Sequence, residues 1–439
     1  MLLGFGAERC LVIADGRGTG TPDEDERIEH VIDAVEGEGL MGGIRAYQAR
    51  LLSPGRATLA AIDRFDPDRN AEVFVASIYP IAAVAGRPVI GLRHTTWMDL
   101  EDKVVIDQLW SEAGIARAAC AVVPAHLDAL RAAARAVDAG GGSCWCGDAR
   151  EGFNGGASYV RWIRPGDEAA AANAAMFFGD HCDRVRVMPF LDGLPCSIHG
   201  MVFPDDVAVF RPVEMMVLRR PGASTFCYAG LDTFWDPAAD DRDALRATAR
   251  SVGAALRRSV GYRGGFTVDG VMTADGFRPT ELNARLGAGV GTIASACPDL
   301  PLEILDLLVR EDRAEGVDVA DFERTVVERA DARRGGGGWL VVDEPSVAAT
   351  RTWQVHVTGS TVELAPDEAT GNDDDAPRPS DGSLTLGPAA GGSHLRFSAD
   401  PDRTPVGPSL APRVARVFAA CDACLGTTIG PVEPAPPRR

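Results

Sequence analysis

Lysine is nearly absent. The 439-residue sequence has 44 basic residues, of which Lys103 is the one lysine and all the others are arginine. A coding bias toward arginine, alanine, glycine and proline accounts for the depletion, and it makes the survivor informative. Wherever arginine would serve, arginine was used; a lysine offers a compact ammonium charge without a planar fork. Both cations together are outnumbered by 63 acidic residues, for a formal net charge of −19. A field of that sign repels nucleic acid and anionic membrane surfaces, which excludes a polyanion as the main partner. Long apolar runs are missing too. The richest stretch, Val73 to Leu92, is interrupted by Pro80, Gly86, Arg87 and Pro88, so no segment reads as a membrane-spanning helix. The opening MLLGFGAERC lacks a basic n-region and meets Glu8 before any apolar core, so a secretory signal is not expected. Ten cysteines are too sparse for a disulfide scaffold. Set in apolar surroundings, as Cys10 is before Leu11, Val12 and Ile13, they are expected as packed free thiols in a reducing cytoplasm. No internal repeat is visible. What is present, 46% hydrophobic and 24% charged residues, is the texture of a globular chain and excludes a disordered or fibrous one.

The patterning reads as α/β in four regions. Residues 1–95 open with a short buried strand, Cys10 to Ala14, and a glycine-rich turn. Further strands are expected at Ala71 to Ser77 and Arg87 to Leu92 around a short helical piece. In residues 96–190, Leu100 to Ala113 has helical spacing, with Val104, Val105, Leu109 and Trp110 inward and Gly114 as its stop. A helix over Ala125 to Ala139, a strand, a glycine-rich turn and a second strand follow, then a strand at Arg184 to Phe190. Residues 191–325 add strands at Pro195 to Phe203 and Val207 to Val217, and a helix at Asp241 to Ser259. A hairpin of Gly265 to Val271 with Phe277 to Leu282 turns at Thr273 to Gly276. Residues 326–439 change texture. A run from Gly335 to Gly338 precedes β-rich pieces at Trp339 to Val342 and Thr352 to Val357. An acidic, Gly/Pro/Ser-rich mobile loop is expected over Ala365 to Gly392, and a helix over Ser409 to Cys424.

The segment from Gly261 to Gly289, GYRGGFTVDGVMTADGFRPTELNARLGAG, carries the chemistry. It sets Asp269 on one strand and Glu281 and Asn283 on the next, with Arg285 just beyond. On an extended strand the alternate residues Glu281, Asn283 and Arg285 share a face. Two carboxylates and an amide oxygen make a hard, oxygen-rich site suited to Mg²⁺, which keeps positions open for phosphates. An arginine beside it can steady a transferring phosphoryl group or a developing anion. A solvated hairpin is the better reading for any one acidic residue. All four residue types on one face favour a site.

The run FTVDG…TELNARLGAG resembles the magnesium-binding end of the ATP-grasp superfamily, where an acidic residue precedes E-x-N-x-R by about a dozen positions. The resemblance implies that Asp269, Glu281 and Asn283 hold Mg-ATP, with two Mg²⁺ ions, and that Arg285 assists an acyl-phosphate step. Three more segments resemble that family. Glu101-Asp102-Lys103 followed by Ala113-Gly114-Ile115 is similar to its D-K dipeptide and "aGi" segment, which implies that Lys103 contacts the α-phosphate. Cys144 to Gly156 is similar to its strand and glycine-rich phosphate lid, implying phosphate contacts from Gly152, Asn154, Gly155 and Gly156. The lysine that ends that strand in the family is missing, and Arg150 within the loop is the substitute cation. Val185 to Gly193 is similar to the hinge between the two halves of the nucleotide fold, implying adenine contacts near Val187, Met188, Phe190 and Leu191; Glu214 is a ribose or metal-side candidate, with a structural salt bridge as its equal alternative. VRVMPFLDGLPCSIHG and RPTELNARLGAG also resemble a group of actinobacterial ATP-grasp proteins, which adds no chemistry.

The implied fold is an α+β ATP-grasp core. Residues 1–95 form a preceding α/β domain, 96–190 the first part with its lid, 191–325 the second part with the Mg²⁺ site, and 326–439 a β-rich end. The implied activity joins a small-molecule carboxylate to an amine at the expense of Mg-ATP, in the cytoplasm and by default as a homodimer. A kinase-like relative that phosphorylates without ligation, and a nucleotide-binding protein with a decayed site, are the alternatives. Three further features are assigned no chemistry. Gly16 to Gly20 is followed by Pro22 to Glu26, whose acidic residues would repel a pyrophosphate. Cys144 and Cys146 are expected on opposite sides of their strand, a poor metal pair. His94 and His199 are expected to be structural.

Overall fold

The computed structural model describes residues 2–16, 25–37, 39–75, 78–148, 150, 152, 155–366, 379–389 and 392–435. The chain begins with a parallel strand pair, β1 (Cys10–Ala14) and β2 (Ile28–Ile32), then helices α1 (Gly39–Leu52) and α2 (Arg56–Phe65). Asp33, just past β2, ties them together: it accepts from Arg50 Nη1 at 2.6 Å, Thr58 Oγ1 at 2.6 Å and Gly55 N at 3.3 Å. The strands expected at Ala71 to Ser77 and Arg87 to Leu92 are reduced to a single bridge, Val73 to Val89, and a two-residue hairpin, β3 (Ala83–Val84) with β4 (Arg87–Pro88). Pro80 and Pro88 bring no amide donor, so a longer ladder has no hydrogen bonds to make there. The short helical piece expected between them does not form: residues 78–86 hold bends and β3 instead, while Ala76 and Ser77 lie outside the described residues.

The helix expected over Leu100 to Ala113 is broken. A short helix α3 (Thr95–Met98) runs into a 3₁₀ turn over Asp99–Glu101, and α4 is only Asp107–Glu112. Asp102 accepts the Val104 N–H at 3.0 Å through its side chain, an Asx turn that competes with the helix and leaves Lys103 on the turn. Val104, Leu109 and Trp110 are buried as expected, whereas Val105 is exposed. A four-stranded antiparallel sheet follows in the order β5 (Ala121–Pro124), β8 (Arg184–Pro189), β6 (Ser143–Gly147), β7 (Val160–Ile163), with α5 (Leu127–Val137) and α6 (Glu168–His181) packed on it around Leu130, Trp145, Phe178 and Val185.

The rest builds on one ten-stranded antiparallel sheet. Its first strands are β9 (Leu194–Val202), β10 (Val207–Arg219) and β11 (Phe226–Asp232). Helix α7 (Ala239–Val260) leads to the hairpin β12 (Gly264–Thr273) and β13 (Gly276–Asn283), and α8 (Gly289–Ala294), α9 (Leu302–Arg310) and α10 (Val319–Ala332) come next. The C-terminal strands β14 (Gly336–Val342), β15 (Arg351–Thr358), β16 (Thr361–Pro366), β17 (Gly382–Ala389) and β18 (Gly392–Ala399) precede α11 (Ala411–Leu425). The order across the sheet is β13-β12-β9-β10-β11-β14-β18-β17-β15-β16. Alternation divides the two faces. Cys196, Ile198, Val207, Val209, Phe266 and Val268 pack under α7, and Met201, Phe203, Ala208, Phe210 and Val213 pack under α8 to α10.

The glycine run has a steric reason. Gly336, Gly337 and Gly338 stand opposite Asp232, Leu231 and Gly230, and a Cβ on Gly338 would strike Val414 of α11. Bare backbone there lets the C-terminal strands join β11 and lets α11 close over the seam. The mobile loop expected over Ala365 to Gly392 is corrected at both ends. Thr361–Pro366 is β16 and Gly382–Ala389 is β17, whose alternate Leu384 and Leu386 are buried in the core with Phe397 and Val414, while 367–378 and 390–391 lie outside the described residues. Five residues of alternating pattern outweighed the Gly, Ser and Pro around them.

Candidate active site

A cavity of about 420 Å³ lies between the small sheet, the connection after β8 and the α8–α10 face of the large sheet, with Met41, Ile44 and Ile78 of the first unit also in its wall. The β12–β13 register sets its chemistry. Asp269 pairs directly with Glu281, so both carboxylates stand side by side, and Thr267 pairs with Asn283. Asn283 Nδ2 donates to Asp269 Oδ2 at 2.9 Å, and Arg285 Nη2 donates to Asn283 Oδ1 at 2.9 Å. Lys103 reaches in from its turn, with Nζ 2.6 Å from Glu281 Oε1. All five expected residues, Lys103, Asp269, Glu281, Asn283 and Arg285, line the one cavity.

The electrostatics suit a cation. Burial, and then the charge of Glu281, push the Asp269 carboxyl up to about 6 despite the Ser197 hydroxyl and the Arg285 and Lys103 charges. Burial opposes the Lys103 charge, but Glu281, Cys146 and Asp269 outweigh it and its pKa is raised. Two crowded carboxylates beside an amide oxygen are a donor set for one hard divalent ion. No group of three or more His, Cys, Asp or Glu placed to hold a metal ion occurs among the described residues; a third side-chain oxygen beside the two carboxylates is that of Asn283.

Three neighbours to which the sequence assigns no role in the site stand beside it. Ser197 Oγ donates to Asp269 Oδ1, from the β9 position directly opposite it. His199, one row farther, shares a hydrogen bond of 2.8 Å between its Nδ1 and Thr267 Oγ1, and burial pushes its pKa down to about 3. Glu101 is buried between Arg93 and Arg285, with Oε2 3.6 Å from Arg285 Nε. The partners are distant in sequence, so no local pattern marks them; only the strand periodicity of Ser197 and His199 was visible.

The other expected contacts divide. Met188, Phe190, Leu191, Gly155 and Gly156 line the cavity. Gly152 lines a smaller adjoining one, about 380 Å³, which shares Lys103. Asn154 lies outside the described residues. Val187 turns its side chain into the core of the small sheet beside Trp145 and Val185. Arg150 is on the outer surface, donating to Asp183 Oδ1 at 3.1 Å and to the Asp180 carbonyl, so it does not line the cavity. Cys144 and Cys146 are two residues apart and so share one strand face, both lining the cavity, which corrects the opposite-sides reading.

Glu214 is not at the cavity. Its carboxyl receives Ser409 Oγ and, at 2.8 Å, Leu410 N, at the start of α11. Burial and the charge of Asp232 hold Glu214 well above the usual carboxylate range. Asp232 Oδ1 accepts from Phe234 N and Trp235 N, while the buried Oδ2 has no hydrogen-bond partner. Stability drawn from a raised carboxyl is full below its unfolded pKa and is lost as pH rises through the folded value. Asp232→Asn would place an amide donor at Oδ2, and is expected to raise stability at pH 7 by about 1 kcal/mol and flatten its pH slope, as measured by thermal unfolding from pH 5 to 8.

No protein-family model and no curated protein matches the sequence. Among solved structures, the chain is similar to pyruvate carboxylase from Rhizobium etli, at 16% identity and a TM-score of 0.52 over 91% of this chain and 33% of that one. It thus spans about a third of the carboxylase. The fold is the ATP-grasp fold. Also similar are phosphoribosylamine–glycine ligase from Thermotoga maritima (14% identity, 72% of this chain and 76% of that one, TM-score 0.45) and L-amino acid ligase from Bacillus licheniformis (12%, 85% and 83%, 0.43). The cavity has the β12–β13 carboxylates in its lining together with Met188 to Leu191, at the end of β8 and just past it.

Proposed function

We propose that the chain is a Mg-ATP-dependent carboxylate–amine ligase that works through an acyl-phosphate. The observation that carries this reading is the convergence of Lys103, Asp269, Glu281, Asn283 and Arg285 in a cavity that also reaches Met188 to Leu191. Asp269, Glu281 and Asn283 are the residues that would hold Mg²⁺, which when bound neutralises phosphate oxygens and orients the transferable phosphoryl group.

The chain's own groups supply the remainder. Met188, Phe190 and Leu191 form the wall for the adenine, and Lys103 brings a point charge to the phosphates from the opposite half. Arg285 faces the substrate carboxylate and stabilises the charge that develops as its oxygen attacks the γ-phosphorus and ADP leaves. The amine nitrogen then attacks the acyl carbon and phosphate departs. Gly155 and Gly156, in the wall of the cavity, belong to the lid that keeps water from the intermediate. Small-molecule substrates, a cytoplasmic setting and a homodimer belong to the same proposal. No helix among the described residues is long and apolar enough to cross a membrane.

The test is ADP release from Mg-ATP across a panel of acids and amines, with products identified by mass spectrometry. ADP with a condensed amide is the expected result. ADP with a phosphorylated acid as the final product would replace the ligase by a kinase, and ATP uptake without ADP from any pair would leave a nucleotide-binding protein.

A further inference from the structure

The cavity changes character across the sheet. In the order β13-β12-β9-β10-β11, the carboxylates and Asn283 occupy the β12–β13 edge. Past β9 the lining turns apolar, with Met215 on β10 and Tyr228 and Leu231 on β11; Met215 and Leu231 stand opposite each other in register. The N-terminal segment adds Met41, Ile44 and Ile78 to the lining of the same cavity. Ile78 is fixed near Arg285, because Arg93 donates to its carbonyl and, at 3.2 Å, to that of Ala284.

None of these six side chains is charged at neutral pH; burial pushes the Tyr228 phenol well above its ordinary value. Of the cations that line the cavity, Lys103 is paired with Glu281 and Arg219 with Asp192 at 2.7 Å, whereas Arg285 gives Asn283 one Nη2 hydrogen bond and stands at the acidic edge. None of these six positions is an arginine; the arginine that does line the cavity on β10, Arg219, stands at the end of that strand.

We infer that this compartment takes the hydrocarbon part of an aliphatic or aromatic monocarboxylic acid whose carboxylate faces Arg285. The inference rests on the ligase reading and names its acid substrate by class. An apolar group gains free energy in proportion to the surface it removes from water. A second carboxylate or a sugar phosphate would lose its hydration against side chains that return no charge and, apart from the Tyr228 hydroxyl, no hydrogen bond.

The experiment uses the full chain. Calorimetry first measures uptake of a non-hydrolysable ATP analogue with Mg²⁺; no uptake would overturn the ligase reading itself. The loaded protein is then titrated with hexanoate, phenylacetate, succinate and ribose 5-phosphate. Hexanoate or phenylacetate is expected to bind at least about tenfold more tightly than the two polyanionic probes. Ile44→Glu, with Ile44→Gln as a milder variant in case the first does not fold, should reduce that affinity by about tenfold or more while leaving analogue uptake unchanged. Succinate or ribose 5-phosphate binding as tightly, neither apolar acid binding, or indifference to both variants would overturn the substrate class and leave the ligase reading standing.

Discussion

Asp269→Asn is expected to abolish ADP formation and to leave the folded chain as stable as before, or more so. The variant keeps size and shape, and its amide can no longer serve as an anionic ligand. A loss of at least about a hundredfold in turnover is expected for removing a group that holds charge at the reacting phosphoryl. The stability half follows from the sign of the pKa shift. Asp269 sits in a buried site beside Glu281, and its carboxyl is raised to about 6. A carboxyl raised in the folded state contributes stability that is complete below its unfolded pKa and is lost as pH rises through about 6. At pH 7 the ionised group therefore costs the folded chain stability, and the neutral amide removes that cost. A thermal midpoint equal to or above that of the parent, together with lost ADP release, separates a functional carboxylate from a structural one. A variant that unfolds would reverse the assignment, and so would one that keeps full turnover.

The hairpin that holds this residue was legible because it is local. A turn at Thr273 to Gly276 and alternation at Glu281, Asn283 and Arg285 bring the two carboxylates together in a stretch of chain with no need of distant partners. Lys103 was legible for a different reason, its isolation in composition. What escaped notice depends on long-range closure. Glu214 looks like a site residue in its own strand, and only Ser409 and Leu410, far along the chain, reveal it as an anchor for α11. Arg150 fits a phosphate loop until Asp183 and the Asp180 carbonyl claim it from outside. The helix expected around Lys103 satisfies the apolar spacing at Val104, Leu109 and Trp110, yet one Asp102 side chain caps the wrong amide for a continuous helix. Its interruption is what frees the lysine to reach Glu281 from a turn. The single ten-stranded sheet was equally hidden, since the glycine run that joins β14 to β11 reads locally as a linker.

Lys103 offers a direct measurement because it is the one lysine. An amine-reactive reagent followed by intact-mass analysis reports on this side chain and the α-amine alone. In the free chain the reaction is expected to be slow at neutral pH, because the charge and hydrogen bond of Glu281 overcome burial and hold the amine protonated. Glu281→Gln removes that support, lets burial dominate, and should make Lys103 react faster. Mg-ATP should protect it, since a phosphate then takes the place of the carboxylate and covers the amine. Lys103→Met is expected to weaken ATP binding by about tenfold or more, partly through the lost charge and partly because Glu281 is left in the cavity without its cation. Lys103→Arg should restore little, because a planar fork does not fit where a compact ammonium stands 2.6 Å from Glu281. Protection by Mg-ATP together with failure of arginine would place the ammonium on the phosphates. Equal labelling with and without nucleotide would confine Lys103 to bracing Glu281, and the cationic half of the site would have to come from another residue.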